Sequence, residues 1–80
     1  MSMDISEQDI KTMIELLTTD IAIYESEADF LCRSAKSISS EKAQALFCDI
    51  IEDMNTHIKK LNIRKQELTE MLKHLKNSKP

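Results

Sequence analysis

The segment SAKSISSEK, residues 34–42, decides the fold because it interrupts two long helical patterns. It holds the only cluster of serines in the chain, and serine caps the start of a helix better than it sits inside one. Ser39 or Ser40 is therefore a suitable N-cap for a second helix. A connection this short makes neighbouring helices antiparallel. The segment predicts a turn at 37–39 between two antiparallel helices.

The pattern before this turn is a heptad seam, with apolar residues alternately four and three apart. Ser6 stands as an N-cap in front of it, with Asp9 three residues further on. The seam predicts a helix over 6–36 with one apolar stripe. Its members are Ile10, Ile14, Leu17, Ile21, Tyr24, Ala28, Leu31, Ala35 and Ile38.

The pattern after the turn repeats the same spacing and predicts a helix over 40–76, followed by a frayed basic tail at 77–80. One seam position, Lys65, is polar, and its ammonium group has to reach the edge of the seam to meet water. The remaining members are Phe47, Ile51, Met54, Ile58, Leu61, Leu68, Leu72 and Leu75.

The composition supports an all-α fold in a single domain, residues 1–80. The 80 residues include no glycine and one proline, so the turn residues that strand proteins need are missing. With 41% hydrophobic and 31% charged residues, the chain is too apolar for disorder and suits long amphipathic helices. The prediction is an antiparallel two-helix hairpin.

A second apolar set lies beside the seam, and we call it the second face: Met13, Leu16, Ile23, Phe30, Leu46 and Ile50. With Ile14 as an a position, all six fall at g or c positions, and the g flanks of antiparallel helices meet on one side. A lone hairpin cannot cover this face, and soluble monomers rarely expose so large a patch. We therefore predict that the hairpin dimerises into a four-helix bundle or docks on another helical protein.

The charge is distributed unevenly: residues 1–57 carry a balance of −8 and residues 58–80 a balance of +5. A basic segment can bind nucleic acid, and a hairpin dimer used in that way would resemble the plasmid-encoded Rop dimer in architecture. We favour a different interpretation, in which the basic segment complements the acidic first helix and its own helix dipole, because aromatic residues for base stacking are scarce. The basic residues concerned are Lys59, Lys60, Arg64 and Lys65.

The chain is expected to reside in the cytoplasm and to have no membrane partner. Its first twenty residues contain no apolar core, and no apolar run approaches the roughly twenty residues that span a bilayer. Cys32 and Cys48 are sixteen apart and lack the spacing of a zinc site or a disulfide framework. No cofactor is expected.

The stretch YESEADFLCRSAKSISSEKAQALFCDIIEDMNTHIKKL, residues 24–61, resembles one helix pair of the rubrerythrin branch of the ferritin-like superfamily. The shared features are an acidic helix leading into an aromatic residue, a short polar turn, the letters ALF, and a histidine with a leucine four residues further on. The resemblance implies a four-helix bundle that binds two irons. The first-helix carboxylate position falls near Tyr24 and the Glu of Glu-x-x-His falls on Met54, so only His57 agrees. The resemblance therefore predicts the fold without its di-iron site.

Other residues could still build an atypical zinc or manganese site, the candidates being Glu27, Asp53 and His57. We favour an ordinary helix pair between Asp53 and His57, four residues apart. No pattern places a nucleophile beside a base, so no catalysis is expected. The sequence predicts a non-catalytic protein–protein interaction module: a scaffold, adaptor, assembly factor or small chaperone. A ferritin-like metal protein and a nucleic-acid regulator are the alternatives.

Overall fold

The computed structural model describes residues 5–78, which form a hairpin of two helices. Helix α1 spans Glu7–Ser34, a single 3-10 turn covers Ala35–Ser37, and helix α2 spans Glu41–Ser78. At 1.5 Å per residue the two helices are about 42 and 57 Å long. The described residues contain no strand. The predicted all-α antiparallel hairpin is confirmed.

Both helices begin at serine caps, as the sequence predicts. The Ser6 hydroxyl oxygen accepts a hydrogen bond from the backbone N–H of Asp9 at 3.0 Å, with Ser6 itself in an extended conformation. The Ser40 hydroxyl oxygen accepts one from the N–H of Ala43 at 3.3 Å. Each bond satisfies a donor that the first helical turn leaves without a partner.

The connection is displaced by about a residue from its predicted position. Helix α1 ends at Ser34, before the predicted residue 36, because its last turn tightens into the 3-10 turn; the N–H of Ile38 then donates to the carbonyl of Ala35 at 3.0 Å. Between the two helices the chain is irregular over 38–40, where the side-chain amide of Gln44 donates to the Ile38 carbonyl. The serine cluster thus ends the first helix, and the Gln44 hydrogen bond connects the irregular segment to α2.

The C-terminal end of α2 also differs from the predicted boundary. The helix continues through Ser78, so Asn77 and Ser78 are helical where a frayed tail was predicted. Basic Lys76 in the last turn complements the negative end of the helix dipole and favours this extension. The rest of the predicted tail, Lys79 and Pro80, lies outside the described residues.

The buried residues are seam residues of the two heptad patterns. Ile21 and Ala28 of α1 and Ile58 of α2 form one cluster, and Tyr24, Met54 and Leu61 pack half-buried against it. Ile10, nearer the start of α1, is fully buried. Lys65 is half-buried at its seam position, as expected for a lysine whose stem packs while its ammonium group reaches water.

The hairpin is a rod one layer thick, measuring 62 × 21 × 17 Å. Its radius of gyration is 18.2 Å, against about 12 Å for a compact domain of this length. Two helices side by side can bury only the stripe along which they touch. Every other face of each helix is therefore open along the length of the rod.

Replacing Lys65 by leucine should stabilise the hairpin. A polar residue at a seam position costs stability, and a leucine buried there contributes about 1–2 kcal/mol. Urea unfolding should show a higher midpoint for Lys65→Leu and almost none of that gain for Lys42→Leu, which alters an exposed lysine of the same helix. An unchanged or lower midpoint for Lys65→Leu would contradict the expectation that this lysine costs stability at the seam.

Candidate functional site

The second face is exposed in the hairpin. Five of its six residues expose between 50 and 65% of their surface, and Met13 is half-buried. The exposed five are Leu16, Ile23, Phe30, Leu46 and Ile50. The residues at seam positions are thus buried between the helices, whereas the apolar residues at g and c positions stay largely exposed in the hairpin.

The position of these residues along the rod follows from one inter-helix contact. The ring centroids of Tyr24 and His57 lie 4.8 Å apart. Because the helices are antiparallel, residues of α1 and α2 that lie side by side have numbers that add up to about 81. Phe30 is then level with Ile50. Leu16, Ile23 and Phe30 stand seven residues, or about 10.5 Å, apart on α1. The second face is widest near the turn and continues along α1 as a ridge.

The ridge on α1 alternates with small residues. Thr19, Ala22 and Ser26 lie around Ile23 and Phe30, and together they line a shallow groove with Thr18, Glu27 and Arg33. Since all of these residues belong to α1, the groove is the open surface of one helix. Large side chains separated by small ones form the ridges and holes into which a second helix packs.

A smaller groove lies on α2, lined by Lys60, Ile63 and Arg64. Ile63 is 54% exposed, and the heptad spacing does not predict it as part of a surface because it lies outside both the seam and the g and c positions. Its apolar side chain beside two long basic stems was the signal available in the sequence. The α2 groove is therefore part apolar and part cationic.

In the described part of the chain, three ion pairs form between residues one turn apart on the same helix. Lys11 contacts Glu7, Arg33 contacts Asp29 and Arg64 contacts Glu67, each at 3.1 Å and one turn away. Pairs as exposed as Arg33–Asp29 and Arg64–Glu67 contribute little to stability.

The basic residues of the nucleic-acid alternative do not form one continuous strip. Lys59, Lys60 and Arg64 are exposed, whereas Lys65 is half-buried at the seam. Arg64 also donates to Glu67. This arrangement gives no specific support to a phosphate-binding surface.

The three positions suggested by the ferritin-like resemblance do come together. The ring of Tyr24 meets that of His57 edge-on, at an interplanar angle of 70°, and both Tyr24 and Met54 pack against the Ile21 cluster. A phenol, a thioether and an imidazole offer none of the anionic oxygens that hard iron sites use. The contact is an aromatic one, worth on the order of 1 kcal/mol beyond burial.

The alternative metal site of Glu27, Asp53 and His57 is not assembled. Within residues 5–78, no group of three or more His, Cys, Asp or Glu side chains is placed to hold a metal ion. The His57 ring instead makes an edge-on contact with Tyr24. Cys32 and Cys48 are exposed free thiols.

The purified protein should contain no stoichiometric iron after incubation with ferrous iron, because Tyr24 and Met54 occupy the carboxylate positions. Elemental analysis after desalting is the measurement, and about two irons per four-helix unit would contradict the expectation. The double variant Tyr24→Glu/Met54→Glu should gain iron affinity. It should also lose stability without metal, since unpaired carboxylates would enter the seam.

Comparisons with models of known protein families, with curated proteins and with solved structures found no match. Within the described part of the chain, neither helix combines the length and apolar character needed to cross a membrane. The candidate site is therefore defined by its geometry: an apolar second face along one side of a two-helix rod.

Proposed function

We propose that this chain is a non-catalytic interaction module that acts by laying its second face against another helical surface. Scaffold, adaptor, assembly factor and small chaperone are the roles that such a surface serves. The observation that carries the proposal is the exposure of Leu16, Ile23, Phe30, Leu46 and Ile50 on one side of the hairpin. Contiguous apolar patches of this kind mark interaction sites in soluble proteins.

The shape of the surface supports binding of a macromolecule. Small-molecule sites are concave and bury most of their ligand, whereas the two grooves described above are open and each lies on a single helix. Helices bind other helices through a ridge of apolar residues about two turns apart. The α1 ridge, with Leu16, Ile23 and Phe30 seven residues apart, has that form.

The absence of a nucleophile–base pattern in the sequence supports a non-catalytic role. An activated cysteine needs a neighbouring base or cation and a site that stabilises the reacting oxygen. Cys32 and Cys48 are exposed on the helix surfaces near the turn, and they lie at e positions, on the flank of the seam opposite the second face.

A comparison of two single substitutions tests this function. Phe30→Ser removes the largest apolar side chain of the second face, and Cys32→Ser changes an exposed residue on the opposite flank, two positions along the same helix. Immobilised wild type and Cys32→Ser should retain the same partner from solution, either an untagged copy of the chain or another protein of the native host. Phe30→Ser should retain far less of it.

Helicity of each variant, measured by circular dichroism at the binding concentration, separates lost binding from lost folding. Equal retention by Phe30→Ser and Cys32→Ser, with both variants helical, would contradict the proposed function.

A further inference from the structure

We propose that the partner on the second face is a second copy of this chain, packed so that α1 of each copy lies against α2 of the other. Both turns then lie at the same end of a four-helix bundle. The inference rests on the proposed function, because it names the partner of that same face. Area, charge and the positions of the two grooves lead to it.

The exposed area is large enough for such a dimer. The chain exposes 6422 Å², whereas a compact monomer of its mass exposes about 4,900 Å². A standard specific interface buries about 800 Å² on each partner. A second rod of the same length can therefore cover the second face and still leave each chain with the exposure of an ordinary small protein.

Two hairpins can meet face to face about a two-fold axis in two ways. If the two-fold axis is perpendicular to the helices, α1 packs on α1 of the second copy and the two turns lie at opposite ends of the bundle. If the axis is parallel to the helices, α1 packs on α2 of the second copy and the two turns lie at the same end. Both arrangements cover the second face, so the choice depends on the charges that meet.

Charge disfavours packing of α1 on itself. Residues 7–34 carry seven acidic and two basic side chains, a balance of −5. A two-fold axis at Ile23, the centre of the ridge, would also place Asp20 of each copy close to Glu27 of the other. Both carboxylates are exposed beside the second face. Like charges placed together across an interface cost binding free energy.

Charge favours packing of the first half of α1 on the second half of α2. Residues 58–78 carry six basic and two acidic side chains, a balance of +4, and they lie level with the acidic first half of α1 in the register that Tyr24 and His57 set. With the axis along the helices, the same register holds between copies. Asp20 then comes level with Lys60 and Arg64 of the second copy, which are exposed cations.

The grooves fit the same arrangement. Leu16, the most exposed of these apolar residues at 65%, comes level with the α2 groove of Lys60, Ile63 and Arg64, whose aliphatic stems can pack around it. At the other end, Ile50 comes level with Phe30 of the second copy.

Disulfide cross-linking between single-cysteine chains tests the arrangement. In a Cys32→Ser/Cys48→Ser background, chains carrying Leu16→Cys and chains carrying Arg64→Cys are annealed together and oxidised with copper phenanthroline. The mixture should give a covalent dimer, and each chain alone should give almost none, because equivalent residues lie diagonally across the bundle. Phe30→Cys with Ile50→Cys is a second pair for the case that the first lowers helicity.

An Ile23→Cys chain reports the opposite arrangement. If α1 packs on α1, residue 23 of each copy lies on the two-fold axis, and the two cysteines are close together. Efficient cross-linking of the Ile23→Cys chain alone would therefore overturn the proposed arrangement. A wild-type chain that sediments as a monomer would overturn the second copy as partner. In that case the comparison of Phe30→Ser with Cys32→Ser still decides whether the second face binds a different protein. The proposed function and the proposed dimer can therefore be rejected independently.

Discussion

Ile23→Lys should turn a helical oligomer into a largely unfolded monomer, and Leu16→Glu should do the same. Ile23 lies at the centre of the α1 ridge and Leu16 one step along it, both more than half exposed in the single hairpin. A charge placed in a covered apolar face has no partner there, and its desolvation costs several kcal/mol. The interface is expected to dissociate.

Unfolding should accompany dissociation because the hairpin alone is marginal. With 6422 Å² exposed, it buries only about half of the surface of its extended chain, less than the ~60% of a 60-residue globular domain. The entropy of ordering some seventy residues nearly offsets so small a burial. Removal of the partner therefore removes most of the stability of each chain.

Sedimentation velocity and circular dichroism on the same samples measure both effects. Lys36→Ala is the control, because Lys36 is exposed in the 3-10 turn and lies outside both apolar sets; it should leave mass and helicity unchanged. If Ile23→Lys is a fully helical monomer, the second face contributes nothing to stability and the energetic argument is wrong.

Ile58→Ala should have the second-largest effect, a loss of about 2–4 kcal/mol in the free energy of unfolding. Ile58 is buried where α1 and α2 meet, in one cluster with Ile21 and Ala28. Truncation removes apolar burial and leaves a cavity that two rigid helices cannot close fully. In so small a fold this is a large share of the total stability.

Urea unfolding of wild type and Ile58→Ala at equal protein concentration measures the loss. Thr56→Ala is a matched control, since Thr56 is exposed two residues earlier on α2 and should change the free energy by less than about 0.5 kcal/mol. Equal losses for the two variants would show that the Ile21–Ala28–Ile58 cluster is not the core of the fold.

The sequence was sufficient for the parts of the fold that depend on periodicity and local chemistry. Seam spacing predicts the burial of Ile21, Ala28 and Ile58, because residues three and four apart share one helix face. Ser6 and Ser40 are recognisable as caps since a hydroxyl can satisfy a free N–H only at a helix start. The same spacing places Ile23 and Phe30 outside the seam, where they are exposed.

Other features depend on how the two helices are rotated and shifted, which spacing along one helix does not determine. The contact of Tyr24 with His57 is one, and the separation of Glu27, Asp53 and His57 is another. The exact end of α1 is another, because the 3-10 turn at Ala35–Ser37 depends on how the chain enters α2. Ile63 was missed because it belongs to neither heptad set.

Sedimentation equilibrium of the wild-type chain at micromolar concentration shows whether a second copy covers the second face. We expect a particle of about twice the 9.2 kDa mass of the chain, in keeping with the symmetric dimers that most homo-oligomers form. Helicity should be lost together with the dimer on dilution. A monomer that stays fully helical at the same concentration would contradict the claim that the second face is covered by a second copy.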